Sequence, residues 1–327
     1  MKSVPSISVI VVNWNSLSYL RECLDSIFSE DASHDVEVIV VDNASTADET
    51  IAIRAEYPSA VAIRSEKNLG FAGANNLGFE HAAAPVVLFL NPDTKVIGSA
   101  IHQMLAQLQS MPSAAIMGCK LLNTDGSVQT SCIQRFPTIL NQCLDLEFLR
   151  EHWPLWKIWG IAPLFSDVRE AVDVEVVSGA CLMITRDAFA RVGKFSERYF
   201  MYAEDVDLCY QTRKAGLRVC YTGDASVIHH GGGTSKPRKG NDWVAIMQRQ
   251  AILKFCSMAH GQTYAMVYRA AMVFNAACRL TILAALFPFR RIAAEKRMVH
   301  STSGKWLTVL KWAVGLDRRA AKLHGNA

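Results

Sequence analysis

Asp93 closes an unbroken apolar run, Val86-Val87-Leu88-Phe89-Leu90, which Asn91-Pro92 cuts short. Such a run reads as a strand buried on both faces, ended by Pro92 so that a single carboxylate reaches the edge of a sheet. Ligands of open α/β sheets gather at that edge, and an Asp there can coordinate Mg²⁺ or Mn²⁺ bridging to phosphate oxygens. Taken alone, Asn91-Pro92-Asp93 is better read as a turn capping the helix expected over residues 97–109. Asp42 repeats the pattern after Val38-Ile39-Val40-Val41 and can hydrogen-bond a base N–H or a ribose hydroxyl, or cap a helix. The densest chemistry is Glu204-Asp205-Val206-Asp207, three acids at the positive end of an expected helix, where they would also be at home for stability alone. His229 follows Val227-Ile228 and opens His230-Gly231-Gly232-Gly233; in that setting it is a credible metal or phosphate ligand, although an isolated histidine is more often structural.

The elements that must position these residues follow an α/β pattern. Strands are expected over residues 7–12, 36–41, 61–63 and 86–90, with helices between them at about 18–28 and from Ser45 or Thr46 to 57. Strand, helix, strand is the signature of a parallel sheet. Between the third and fourth strands lies Asn68-Leu69-Gly70-Phe71-Ala72-Gly73-Ala74-Asn75-Asn76-Leu77-Gly78, a loop and helix start where backbone can approach a phosphate or sugar closely. It is neither a Walker loop nor a dinucleotide fingerprint. Further on, residues 114–122 read as a strand turning at Asp125-Gly126 into a partner over 128–132. Residues 174–184 read as a strand pair hinged at Ser178-Gly179-Ala180, 218–221 as another strand, and 243–255 as a helix. Trp153, Trp156 and Trp159 could stack on apolar sugar faces, but aromatic density is more often packing and they carry no assigned role.

Half of the chain is apolar, enough for a sizeable core. Its nine cysteines include no Cys-x-x-Cys pair, so they read as reduced core thiols of a cytosolic protein. The apolar stretch near the N-terminus is too short for a secretory signal, and export is not expected.

In order, Val9-Ile10-Val11-Val12-Asn13-Trp14-Asn15, Val41-Asp42-Asn43-Ala44-Ser45, Asn68-Leu69-Gly70-Phe71-Ala72-Gly73-Ala74-Asn75, Leu90-Asn91-Pro92-Asp93, Gly179-Ala180, Glu204-Asp205-Val206-Asp207 and His229-His230-Gly231-Gly232 closely resemble glycosyltransferase family 2. Within it they are most similar to the rhamnosyltransferase-type branch of bacterial surface-polysaccharide synthesis. The resemblance implies a GT-A fold, a Rossmann-like, mostly parallel sheet flanked by helices, and an inverting transfer from a nucleoside diphosphate sugar. It implies a nucleotide-sugar-binding half over residues 1–100 and an acceptor-binding and catalytic half over 101–240; a basic, helical C-terminal extension over 241–327 lies outside it. Carried onto this sequence, Asn13, Asp42 and Asn43 would hold the nucleoside, and Asn68, Gly70 and Asn75 would line the nucleotide-sugar pocket. Asp93 and His229 would bind Mg²⁺ or Mn²⁺, with His230 the weaker candidate, and Asp205 would be the catalytic base. Asn91 stands where an Asp-x-Asp motif has its first acid, one charged ligand fewer. dTDP-rhamnose is the favoured donor, with UDP-sugars open, and a glycan or polyprenyl-linked hydroxyl is the acceptor. The competing readings are a non-catalytic sugar-nucleotide-binding protein on the same fold and a nucleic-acid binder.

The last 65 residues carry eleven Lys/Arg against Glu295 and Asp317, a local excess of +9 inside a chain of net +4. Such a segment fits an anionic surface. It lacks the motif or repeated aromatics of a nucleic-acid module, so no nucleic acid is expected. Residues 264–289 are long and apolar but interrupted by Arg269 and Arg279. Because a central Arg costs a few kcal/mol in a bilayer, the expectation is interfacial helices, with Arg290, Arg291, Lys296, Arg297, Lys305, Lys311, Arg318 and Arg319 meeting acidic lipids at the inner face of the plasma membrane. A helical pair packed on the catalytic domain is the plainer alternative.

Overall fold

A computed structural model of the chain describes residues 5–29, 35–145, 147–166, 170–231, 240–286 and 293–317. It divides into two compact units. The first comprises Met1–Phe136, Phe148–Phe200 and Glu204–Lys236; the second comprises Pro137–Glu147, Met201–Ala203 and Pro237–Ala327.

The chain opens with β1 (Ile7–Asn13), α1 (Leu17–Phe28), β2 (Val36–Asp42), α2 (Thr50–Glu56), β3 (Val61–Arg64), α3 (Gly70–His81) and β4 (Val86–Leu90). There follow β5 (Thr94–Val96), α4 (Ala100–Ser110), β6 (Ala114–Leu122), β7 (Ile133–Gln134), α5 (Ile139–Cys143) and α6 (Glu147–His152). Then come β8 (Val172–Asp173), β9 (Val176–Val177), β10 (Cys181–Thr185), α7 (Arg186–Arg191), α8 (Glu204–Lys214) and β11 (Arg218–His229). The helices α9 (Gly240–His260), α10 (Gln262–Leu286) and α11 (Ala293–Ala313) end the described chain.

The central sheet of the first unit runs β3-β2-β1-β4-β10-β6-β11-β5, with β8 added on β11. β1 to β4 are mutually parallel, β10 runs against both neighbours, and β6 and β11 are again parallel. Val9, Ile10, Val40, Val41, Leu88 and Phe89 have no measurable exposure, as expected of strands covered on both faces. α3 lies tight on this layer because position 78 is glycine: a Cβ there would stand 2.5 Å from Ile10 Cγ2. Phe89, Phe189 and Phe195 meet as tilted and edge-on rings with centroids 4.7–5.3 Å apart, joining β4 to α7 and the turn that follows it.

Four local expectations change. α2 begins at Thr50, not at 45 or 46, because the Asp48 carboxylate takes both the backbone N–H and the hydroxyl of Thr50 and starts the helix there. Residues 174–184 do break at Ser178-Gly179-Ala180, but β9 pairs with β7 whereas β10 enters the central sheet, so the two are not partners. Residues 128–132 meet β6 only at the bridge Leu122↔Val128, and the expected hairpin stops there. The strand expected at 218–221 continues through Ser226 to His229 with an irregularity after Thr222, which carries the chain on to the sheet edge.

In the second unit α9, α10 and α11 pack around Cys256, Tyr268, Met272 and Trp312. Trp312 Nε1 donates to Gln250 Oε1 at 2.9 Å, which pairs the indole of a buried tryptophan. Of the nine cysteines none is in a disulfide; seven are buried, and Cys143 and Cys278 are partly so.

Candidate active site

Parallel register sets the site. Asn13 lies opposite Asp42, and Val11 opposite Leu90, so the C-terminal ends of β1, β2 and β4 share one edge. β10 runs the other way and starts at that edge, with Cys181 opposite Leu90. Gly179 and Ala180 therefore stand beside Asn91-Pro92-Asp93, and the Asn91 N–H donates to the Ala180 carbonyl at 2.9 Å.

Asp205 reaches the same edge from the first turn of α8. Its Oδ2 accepts the Gly179 N–H at 2.9 Å, and its Oδ1 accepts the Val206 N–H at 2.8 Å. A Cβ at position 179 would lie 3.3 Å from Asp205 Cβ, so glycine is what lets the carboxylate settle on the strand end. Burial pushes the Asp205 carboxyl above the usual range, opposed by those two N–H groups. Glu204 is raised further, by burial first and by the neighbouring Asp205 second, and its buried Oε2 has no hydrogen-bond partner among the described residues. Asp207, whose carboxyl burial also raises, accepts from Gln211 Nε2 at 3.2 Å within the helix.

β11 delivers His229 opposite Thr94, one residue beyond Asp93. His229 Nε2 lies 3.5 Å from Asp93 Oδ1 and 3.4 Å from Asn91 Nδ2. Gln129 holds the histidine at two points: its Nε2 donates to the His229 carbonyl at 2.6 Å, and its Oε1 faces Nδ1 at 2.9 Å. With the amide so oriented, its oxygen accepts from the Nδ1–H and Nε2 is the ring nitrogen turned to Asp93. His230 is directed elsewhere. Its Nε2 lies 3.1 Å from Glu22 Oε2 and its Nδ1 3.1 Å from Thr124 Oγ1, while its backbone N–H donates to the Asp93 carbonyl at 2.9 Å. Gly232 to Ser235 lie outside the described residues.

Among the described residues, no three His, Cys, Asp or Glu side chains form a closed metal cage. A carboxylate and an imidazole nitrogen side by side suit an ion that takes its remaining ligands from water and phosphate oxygens, as Mg²⁺ and Mn²⁺ do. The residues thus fit a divalent ion bound together with a diphosphate.

The residues expected around the nucleoside are knitted to one another. Asp42 is fully buried and pairs with Arg64 Nη1 at 2.5 Å, while the Ser45 N–H donates to its Oδ1 at 3.1 Å. Arg64 also donates to the carbonyls of Ser45 and Ala47, fastening the loop after β2. Asn13 is buried as well, accepting from the Ser16 hydroxyl at 2.8 Å and donating to Glu49. Asn43 Oδ1 accepts the Leu69 N–H at 2.8 Å, and its Nδ2 donates to Asn68 Oδ1 and the Gly70 carbonyl. Asn68 Oδ1 in turn accepts the Gly70 N–H at 2.9 Å. The close approach that Gly70 permits, at φ 71°, is to the carbonyl of Phe200, which would lie 2.4 Å from a Cβ there and which accepts the Phe71 N–H at 3.0 Å. Asn75 bonds back to the Phe71 carbonyl at 3.0 Å inside α3. Thus the first N–H groups of α3 are committed to protein acceptors.

Trp153 and Trp156 stack at 5.2 Å and are nearly half-exposed, whereas Trp159 is buried and donates to the Trp153 carbonyl at 3.1 Å. Gln129 and Arg64 are the neighbours of the candidate residues His229 and Asp42 that motif reading misses. Arg64 could have been found, because it ends the strand beside β2 in register with Asp42; Gln129 sits in an irregular polar stretch and leaves no such mark.

The family model described as glycosyl transferase family 2 matches residues 8–192. An N-acetylglucosaminyl-diphospho-decaprenol L-rhamnosyltransferase of Mycobacterium tuberculosis is 30% identical over 239 residues, covering 68% of this chain and 75% of that protein. The O-antigen biosynthesis protein RfbC of Myxococcus xanthus is 28% identical over 70% of this chain, but that alignment spans only 18% of the larger protein. Among solved structures, a mannosyltransferase of Pyrobaculum calidifontis in complex with GDP-Man and Mn²⁺ is similar with a TM-score of 0.59 and 18% identity, over 96% of this chain and 87% of that one. GalNAc-T7 with UDP, GalNAc and Mn²⁺ gives the same TM-score at 14% identity, over 89% and 54% of the two chains. These two likenesses establish the GT-A fold. With more than half of its length matched by the family model, the chain belongs to glycosyltransferase family 2.

Proposed function

We propose that this glycosyltransferase moves a sugar, rhamnose first among candidates, from a nucleoside diphosphate donor to a hydroxyl of a glycan or polyprenyl-linked acceptor, with inversion at the anomeric carbon. One observation carries the reading. Asp205, Gly179-Ala180 and Asn91-Pro92-Asp93 are joined by consecutive hydrogen bonds, so the base candidate and the metal-ligand candidate are fixed to one sheet edge. In this reading the Asp205 carboxylate takes the proton of the acceptor hydroxyl as its oxygen attacks the anomeric carbon, and the diphosphate leaves from the opposite face. Raised basicity at Asp205 suits it to hold that proton. Inversion needs only this one carboxylate.

Asp93 and His229 would hold Mg²⁺ or Mn²⁺, which would neutralise charge gathering on the leaving diphosphate. Support for a divalent ion comes from the donor chemistry and from the Mn²⁺ carried by both solved relatives. The Asp42–Arg64 pair and the Asn43–Asn68–Gly70 network frame the nucleoside end, with Asn13 and Asn75 bracing the strand end and α3. The rhamnosyl preference rests on the relative named L-rhamnosyltransferase, whose decaprenol-linked substrate also suggests a lipid-linked acceptor here. Such an acceptor would be met at the cytoplasmic face of the plasma membrane.

A thermal-shift screen of dTDP- and UDP-sugars with Mn²⁺ tests the donor assignment, because the true donor raises the melting temperature by mass action. The largest shift is expected with dTDP-rhamnose. A larger shift with a UDP-sugar would replace the rhamnosyl reading, and no shift with either class would overturn the donor assignment.

A further inference from the structure

α10 is a helix of 25 residues whose only charged side chains are Arg269 and Arg279. At 1.5 Å per residue it is about 37 Å long, enough to cross a bilayer by length. One flank, with Ala265, Tyr268, Met272 and Ala276, is buried among its partner helices. Both arginines turn the same way. Arg269 donates to the carbonyls of Trp312 and Ala313 at the end of α11, at 3.1 and 2.8 Å. Arg279 donates to the Cys143 carbonyl at 2.7 Å and to Asn275, with its guanidinium 4.3 Å from the centre of the Trp306 ring. Burial lowers its pKa from the ordinary arginine value, as expected of a cation drawn inside.

What remains on the outer flank is uncharged along the whole helix. Met266, Val267, Phe274 and Ile282 are 70%, 52%, 72% and 56% exposed, with only small or uncharged residues between them. Only 17% of the apolar window of α10 is buried, which is not the state of a core helix. An apolar face of this extent, unpartnered among the described residues, marks an interaction site.

We infer that α10 lies flat on an anionic phospholipid surface, with Met266, Val267, Phe274 and Ile282 dipping into the boundary between headgroups and acyl chains. Charge complementarity selects lipid as the occupant: with Arg269 and Arg279 left out, residues 280–327 still carry an excess of +7, and Lys311 is exposed on α11. A spanning orientation is disfavoured by the same contacts that hold the arginines. α10 would have to leave α9 and α11, exposing Arg269 and Arg279, or take both charged neighbours into the hydrocarbon with it. A helix with one face packed on protein and one bare apolar face belongs in the interfacial plane. Arg269 and Arg279, which interrupt the apolar stretch in the sequence, serve the fold. Arg290, Arg291, Arg318 and Arg319 lie outside the described residues, as do the side chains of Lys296 and Arg297.

The test is co-sedimentation of the full chain with vesicles of phosphatidylcholine alone and of phosphatidylcholine mixed with phosphatidylglycerol, at low and high salt. Binding is expected to the mixed vesicles, weakening as salt rises. Phe274→Glu with Ile282→Glu should weaken it by roughly a hundredfold, since each loses the transfer energy of one large apolar side chain. Met266→Glu with Val267→Glu is the independent second variant, and circular dichroism should show both pairs folded. Absence of wild-type binding, or equal binding by folded variants, would overturn the inference. So would a dimer in light scattering that the substitutions split without any vesicle binding, and resistance to alkaline carbonate extraction would overturn the in-plane orientation. The readout is binding, so failure here would leave the transferase reading standing.

Discussion

The Asp205 carboxylate accepts the backbone N–H of Gly179 at 2.9 Å, which ties the first turn of α8 to the start of β10. Burial nevertheless leaves Asp205 more basic than a free aspartate. Activity that needs the ionised carboxylate must therefore fall as pH drops through a value above the ordinary aspartate pKa of about 4. The pH profile of kcat/KM should show this displaced acid limb. A limb at or below about pH 4 would contradict the buried-base geometry.

Glu204 tests the same desolvation through stability. Its folded-state pKa is raised, so its contribution is fully present below the unfolded value of about 4.3 and is lost as pH rises through the folded value. Glu204→Gln cannot ionise. The variant should lose less melting temperature than the wild type between pH 5 and pH 8, by calorimetry, and an equal or steeper loss would mean that Glu204 is hydrated.

Metal binding should depend on Gln129, which never touches the ion. Gln129→Ala frees the imidazole of His229 to rotate and to change tautomer, and outer contacts of this kind are worth about 10- to 100-fold in metal affinity. Calorimetric titration of Mn²⁺ in the presence of nucleoside diphosphate should show that loss, with His229→Ala losing at least as much. In assays of transfer, excess EDTA should abolish activity and Mg²⁺ or Mn²⁺ restore it. Undiminished transfer in EDTA would count against the Asp93–His229 ion.

Removing Arg64 strands the carboxylate of Asp42, which is fully buried. Loss of a partner from a buried pair costs about 3–5 kcal/mol, and partial exposure of Arg64 brings the expected loss for Arg64→Ala nearer to about 2 kcal/mol. Urea denaturation would measure it. Donor affinity should fall as well, because Arg64 also fastens the loop after β2.

The parallel strands were legible because Val, Ile and Leu runs ending in Asp42 and Asp93 have few other interpretations. Asp205 was legible only through its place in an ordered set of motifs. Its dependence on Gly179, 26 positions earlier, is a contact between distant segments that no local period encodes. α2 began late because residues 43–49 answer to Arg64 and Asn13, again from elsewhere in the chain. Likewise the asparagines at 43, 68 and 75 are typed by composition as polar loop residues, and only the fold reveals that they bond to one another and to the start of α3. Arg269 and Arg279 interrupt the hydropathy of α10, yet both point inward, because a helix face is chosen by its neighbours.

Sugar transfer by Asp205→Asn tests the account at its centre. The amide keeps the shape and can still accept from Gly179, but it cannot take a proton. Thermal shifts with donor and Mn²⁺ should match those of the wild type while turnover drops by about two orders of magnitude or more. Near-normal transfer by this variant, with donor binding intact, would contradict the assignment of Asp205 as the base.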